Sequence, residues 1–475
     1  MVGDFQPGLN VKKVSRIHFF VPGLFELQQK KHFFSFLFFL ALLTPMILRG
    51  EVFIDGLLSF FLSLCLILSD LKLFRLSFNP DIVEYWIASL FLCFGLVSIF
   101  IYNGYQLKKS RKNSVPSYRK ILLSKITEDR TVVFFLRILS VAYGAALLCP
   151  FLAPYDPNES QDLVVTRYLP PMHGAEFLKL KSKNESEFTS DNSIHKTLVR
   201  INRKILHHDE IIFVNSYQKN GKEVRFTQGI QSKTIFLSLL VSDDENEFTG
   251  TKFYLLGSDK YGRDIFSRLI YGSRISLCIA FLVTSIAVTI GTFIGAVSGY
   301  FGKTTDTVLM RGVDLLLAFP NLFLILLVIS LFGNSIVLII VVLGLTGWMG
   351  VSRIVRGQIL SLKEQEFIQA AHALGFSHLR IIFKHLIPNT LAQIIVAATL
   401  RLGGIILIEA GLSFLGIGVQ PPTASWGNMV SEGRDSLIQA WWISTFPGLA
   451  IVLTVVSFNL IGDGLRDALD PKIKN

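Results

Sequence analysis

The residues that could do chemistry in this chain fall short of every arrangement that chemistry requires. Gly302-Lys303-Thr304 has the ending of a phosphate-binding loop. That pattern needs a glycine five positions before Gly302, where Val297 stands, and a strand ahead of it, where an apolar helix runs instead. We reject it, so the chain has no nucleotide site of its own. His372, His378 and His385 are spaced by six and seven residues, unlike an H-E-x-x-H helix, and no carboxylates are placed to complete a metal site. They read as polar-face residues. Cys65, Cys93, Cys149 and Cys278 lie in apolar blocks without C-x-x-C spacing, which indicates neither zinc nor a disulfide framework. No Ser/His/Asp or Cys/His set has supporting context, so no catalytic residue, cofactor or metal is expected in this chain.

Two charges do stand out. Arg401 and Glu409 lie about two turns apart within one apolar run. An intramembrane charge costs on the order of 3 kcal/mol and usually faces a cavity or a partner, although both could instead sit near the interfaces and snorkel. Neither reads as catalytic. Gly291, Gly295 and Gly299 form two overlapping GxxxG steps on one helix face. Small residues there let helix backbones approach, so close packing within the bundle or with a partner subunit is expected ahead of a pore-lining role.

The elements that must position these residues are membrane helices. Of 475 residues, 51% are hydrophobic and 17% charged, with a mean hydropathy of +0.50; soluble domains carry about 25% charged residues. The apolar residues form blocks near the roughly 20 residues that span a bilayer. The net charge of +11 resides in short loops beside those blocks, as cytoplasmic loops do, and no basic-aromatic surface elsewhere suggests nucleic acid.

In chain order, residues 1–131 form an N-terminal extension. It has a basic lead, apolar runs at 33–48, 57–69 and 83–102, and a basic loop from Gln106 to Arg130. The run 57–69 is short enough to be interfacial or re-entrant, and 33–48 has no cleavage site after it, so it reads as retained. Residues 132–155 are the first core span, with Arg137 snorkelling and Pro150 and Pro154 ending the helix. Residues 156–252 are polar. Glu210–Val214 and Glu223–Thr227 alternate like strands around Asn220-Gly221, a hairpin signal, so a small extracytoplasmic β-rich insert is expected. Its Asn-Glu-Ser sequons at Asn158 and Asn184 are weak signals. Residues 253–475 hold spans at about 275–300, 307–331, 335–352, 388–415 and 442–462. With basic loops at Lys303, Arg353–Lys384 and Lys472–Lys474 inside, the alternation closes on six core spans and cytoplasmic termini.

Between two of these spans lies the long amphipathic segment Leu362–Asn389. Phe367, Ala370, Ala371 and Leu374, then Ile381 and Ile382, recur at helical spacing with Gly375 between them. This predicts two short helices hinged at a glycine and offered to something in the cytoplasm.

Gln369-Ala370-Ala371, three residues, Gly375 and then Ile387-Pro388 resemble the EAA loop of ABC-importer permeases. GSDKYGRDIFSRLIYGSRISL (257–277), LLLAFPNLFL (315–324), SFLGIGVQPPTASWGN (413–428) and FNLIGDGLRDALDP (458–471) are similar, in the same order, to C-type permeases of the peptide/nickel branch. FLAPYDP (151–157) resembles the end of that family's first helix. The resemblance implies an all-α polytopic fold with a six-helix type I importer core in the cytoplasmic membrane. It also implies a second homologous permease, two ATP-binding subunits that use the ATP and Mg, and an extracytoplasmic substrate-binding protein delivering a di- or oligopeptide. Glu366, Gln369, Ala370, Ala371, Gly375 and Pro388 would then form the ATPase-coupling loop. Gln369 departs from the usual Glu, and the extension and insert are additions. Nickel or another small solute is the alternative cargo. An ion-driven carrier or intramembrane enzyme is the reading from another class, disfavoured because a docking loop without its own ATPase implies partners.

Overall fold

The computed structural model describes residues 49–69, 80–109, 129–159, 162–181 and 210–469, with Ile47 and a few positions between 197 and 205. The basic lead, nearly all of the run 33–48, most of the loop 106–130, the sequon at Asn184 and the basic C-terminal residues lie outside them. The chain divides into two compact units.

The first unit comprises residues 1–115, 150–152 and 185–208. Its described helices are α1 (Gly50–Ser69) and α2 (Pro80–Lys109). The run expected at 57–69 is thus longer than its apolar core suggests. The helix starts at Gly50, and 50–67 is long and apolar enough to cross a membrane. The helices pack closely at Gly56, where an added Cβ would lie 2.5 Å from the Ser89 hydroxyl. Trp86 Nε1 donates to Ser59 Oγ at 3.0 Å, and Ser59 donates to Asn202 Oδ1 at 2.7 Å. Asn202 belongs to the stretch expected to fold inside the insert. The insert is therefore not one domain: Leu198, Ile201 and Asn202 are buried, and 185–208 groups with the N-terminal helices. The sequence TLVRIN carries an apolar face too short to form a core alone, so it requires a partner.

The second unit opens with α3 (Arg130–Leu147), whose N-cap Asp129 accepts from the Thr131 and Val132 amides. The rest of the insert forms two antiparallel three-stranded sheets. One has the order β2-β1-β6, from β1 (His173–Lys179), β2 (Ile211–Val214) and β6 (Thr249–Tyr254). The other has the order β3-β4-β5, from β3 (Ser216–Asn220), β4 (Glu223–Gln228) and β5 (Gln231–Phe236). The turn at Asn220-Gly221 is present, with Gly221 at φ +63°. The strand hairpinned to β4 is β3, however, while the expected strand at 210–214 pairs with β1. The exposed polar sequence SYQKN hides β3 from any alternation test. Burial pushes the Lys252 ammonium below its ordinary range, with Glu159 3.8 Å away and the Tyr155 ring 4.1 Å beneath it.

The core bundle follows: α4 (Ile265–Phe301), α5 (Lys303–Leu317), α6 (Asn321–Phe332) and α7 (Ile336–Lys363). The loop helices α8 (Glu366–Ala373) and α9 (His378–Ile381) lead into α10 (Ile387–Phe414), α11 (Trp426–Gly433) and α12 (Trp442–Leu469). Residues of α3, α4, α6, α7, α10 and α12 share one buried cluster, including Leu139, Val283, Ile329, Leu343, Ile406 and Phe458.

Helices α4 and α7 run parallel. Gly291 faces Val351, Gly295 faces Ser352 and Val355, and Gly299 faces Ile359. The chain must therefore return along the bundle between them, which is the work of residues 303–332. The single span expected at 307–331 is instead α5 and α6, bent by 76°. The break falls at Phe319-Pro320, because proline lacks an N–H and pushes its preceding residue away from helical torsions. Helix α7 also continues well past the expected end at 352, carrying the chain to the amphipathic loop. Five core spans are single helices and the sixth is this bent pair.

Candidate coupling site

The amphipathic segment has the predicted form of two short helices and a glycine bend. Helix α8 ends in a motif that satisfies its last carbonyls. Gly375 N–H donates to His372 O at 2.9 Å and Phe376 N–H to Ala371 O at 3.1 Å, with Gly375 at φ +74°. An added Cβ at Gly375 would meet nothing within 4 Å, so the requirement for glycine there is conformational. After α9 the chain makes one π turn, Ile382–Leu386, before α10. Pro388 follows at the start of α10, exposed; having no N–H, it opens the helical ladder where the turn widens.

The loop carries two apolar faces. Ile368, Ala371, Ile381, Ile382 and Leu386 are buried with Ala296 and Tyr300 of α4, Val351, Val355 and Ile359 of α7, and Ile394 of α10. This face anchors the knob to three helix ends. The other face points outward: Phe367 is 44% exposed, Leu374 73%, Leu379 67% and Phe383 54%, with Ala370 between them. Phe367, Ala370 and Leu374, spaced i, i+3, i+7, thus make the exposed stripe, and Ala371, expected beside them, faces the chain's own core. Glu366 and Gln369 are exposed beside the stripe. Gln369 turns back, its Nε2 donating to the Glu364 carbonyl at 3.2 Å. A carboxylate at that position has no proton to donate there.

Spacing alone gives Tyr300 no role and reads the histidines as polar-face residues, whereas the structure brings them together. Tyr300 Oη lies 2.6 Å from His378 Nδ1 and 3.4 Å from His372 Nε2, and its ring stacks on His372 at 5.9 Å between centroids. The end of α4 is thereby tied to both loop helices. Phe376 stacks on His385, and the Arg380 guanidinium sits 4.2 Å above the Phe376 ring. No signal in the sequence links Tyr300 to histidines more than 70 residues away. Among the described residues no group of His, Cys, Asp and Glu is clustered as metal ligands are.

The glycine face belongs to the bundle. A Cβ at Gly291 would lie 2.6 Å from Val351 Cβ, and one at Gly299 2.9 Å from Ile359 Cβ, while one at Gly295 would strike the Ser352 carbonyl. The partner is α7 of the same chain, and packing rather than pore lining accounts for all three. Glu409 is 1% exposed and accepts from Ser276 at 3.3 Å, Ser413 at 2.9 Å and Ser425 at 3.0 Å. It neither snorkels nor faces a cavity: it joins α4, α10 and the segment before α11. Arg401 does not pair with it. Its guanidinium rests against Gly347 of α7, where a Cβ would collide with it.

At the end of the bundle opposite the loop, Asp259 organises the entry to α4. It accepts from the Tyr261 and Arg263 amides at 2.8 and 2.9 Å and from Arg263 Nε at 2.6 Å. Glu432 of α11 receives Arg263 at 2.8 Å and Arg268 at 3.0 Å. The Trp442 indole donates to the Ser258 carbonyl at 3.1 Å. These buried charges fasten the entry to α4 onto α11, and the Trp442 indole ties in α12.

The chain has relatives among known proteins. The family model described as binding-protein-dependent transport system inner membrane component matches residues 291–475. The oligopeptide transport system permease protein OppC of Haemophilus influenzae is 47% identical over 220 residues, 46% of this chain and 71% of that protein. The dipeptide transport system permease protein DppC of Alkalihalophilus pseudofirmus is 45% identical, over 46% of this chain and 72% of its own length. The glutathione transport system permease protein GsiD of Pectobacterium atrosepticum is 41% identical, covering 46% and 73%. Among solved structures, the MetNI methionine ABC transporter matches 43% of this chain and 98% of that chain at 17% identity, with a TM-score of 0.36. With that identity across that share of its relatives, the chain belongs to the family of binding-protein-dependent transport system inner membrane components.

Proposed function

We propose that the chain is one membrane-spanning half of an ATP-driven peptide importer of the cytoplasmic membrane, working by alternating access. The observation that carries this reading is the outward apolar stripe of the loop, Phe367, Ala370, Leu374 and Leu379, borne on a knob whose opposite face is locked into the bundle. An exposed apolar stripe on a rigid helix is suited to a groove on a partner, here an ATP-binding subunit. Basic residues around the loop support a cytoplasmic side for it and for both termini. The bundle then pairs with a second, homologous permease, and two ATPases and an extracytoplasmic binding protein complete the importer. Relatives named for oligopeptides, dipeptides and glutathione support a peptide as the cargo.

The chain's own residues account for transmission. When the ATPase groove closes, α8 moves with it. The Gly375 bend holds α8 and α9 at a fixed angle, and Tyr300 passes the displacement to α4 through His372 and His378. Helices α4 and α7 touch backbone to backbone along the glycine face, so they move as one body. Rocking of that body against the partner permease exposes the path to one side and then the other. Reconstitution with the ATPase and binding-protein subunits tests the reading. ATP-dependent accumulation of a labelled peptide is expected. Accumulation of nickel but not peptide, or uptake driven by an ion gradient without ATP, would overturn it.

A further inference from the structure

The strongest unassigned feature is Arg401, and the inference it carries rests on the importer reading above. Arg401 lies 14 residues from Ile387 and 13 from Phe414, so it is about 20 Å from either end of α10 at about 1.5 Å per residue. That distance exceeds the reach of an arginine side chain to either end of the helix. Its Nε is shut away from solvent without a hydrogen-bond partner, and no ion pair or hydrogen bond engages the guanidinium among the described residues. Glu409, on the same helix, is committed to three serine hydroxyls. The side chain is half-buried rather than enclosed, and Gly347 provides the space beside it. A cation at membrane depth persists where it faces a water-filled path or an anion.

We infer that Arg401 is a binding point on the translocation path for the carboxylate terminus of the passing peptide. Every linear peptide carries one such group whatever its side chains, so one guanidinium can serve cargo of varied sequence. The planar fork matches a carboxylate through two parallel N–H···O bonds. A single cation also binds weakly enough to release, which passage requires. The rival anion is an acidic side chain of the partner permease.

The test compares wild type, Arg401→Gln and Arg401→Lys in the reconstituted importer, using one peptide as the free acid and as its C-terminal amide. All variants receive the same loaded binding protein, so its own preference cancels. The expected result is that Arg401→Gln lowers uptake of the free acid by about tenfold or more while leaving the amide unchanged, with Arg401→Lys intermediate. Equal loss of both peptides would assign Arg401 to the partner permease and overturn the inference, as would equal transport of both by every variant. Absence of any peptide transport by wild type would instead sink the importer reading, and the inference with it.

Discussion

Gly375 is the residue at which the loop's conformation meets its proposed coupling role. Its positive φ costs an ordinary L-residue about 1–2 kcal/mol, and a β-branched side chain more, although no atom stands in the way of a Cβ. We predict that Gly375→Val inserts into the membrane normally but loses most uptake, and that Gly375→Asn, which tolerates that region, retains more; transport assays at matched expression decide it. Wild-type transport by Gly375→Val would count against the bend's role. At the far end of the bundle, Asp259→Ala leaves Arg263 and Arg268, 4% and 0% exposed, with one fewer counter-charge. Breaking a buried pair from one side costs about 3–5 kcal/mol. The expected outcome is a large loss of folded protein by size-exclusion chromatography, greater than for Asp259→Asn, which keeps acceptor capacity. The position and glycine of the bend were legible in the sequence, as was the atypical Gln369. What Gln369 does was not, because its bond to the Glu364 carbonyl depends on where α7 stops.

At the scale of elements, α4 and α7 show what spacing can and cannot reveal. Two GxxxG steps announce a close helix contact, yet nothing in them names the partner 60 residues on. Gly295→Ala would drive its Cβ into the Ser352 carbonyl. We predict a destabilisation of about 1–3 kcal/mol, seen as a lowered thermal unfolding midpoint in detergent. An unchanged midpoint would show that α7 can shift to make room. The loop illustrates a second limit. Phe367, Ala370 and Leu374 interleave with Ile368 and Ala371 at helical spacing, and periodicity detects both stripes without saying which meets the core. The break within 303–332 had a readable signal in Phe319-Pro320. The surrounding hydropathy ran on through it, and a window of spanning length averages such a break away.

At the scale of the whole molecule, the six core spans and the two short helices of the loop were legible, since hydropathy blocks and charge alternation reflect solvation directly, whereas the number of spans before residue 130 was not. The packing of Asn202 against the N-terminal helices was not legible either, because its hydrogen bond with Ser59 joins residues more than 100 positions apart. We predict that Ser59→Cys with Asn202→Cys, in a background lacking the four native cysteines, forms an intrachain cross-link under mild oxidation. Proteolysis between the two positions followed by non-reducing electrophoresis reads it out, and two separable fragments would contradict the pairing. The proposed function stands or falls on the loop as the point where the bundle meets its ATPase. Co-purification of the ATP-binding subunit with Phe367→Asp/Leu374→Asp, against wild type, tests it most directly, because both side chains lie outside the folded core. The doubly charged stripe is expected to release the ATPase while the permease still elutes as a folded species; full retention of the ATPase, with peptide-stimulated hydrolysis intact, would rule out docking through the stripe.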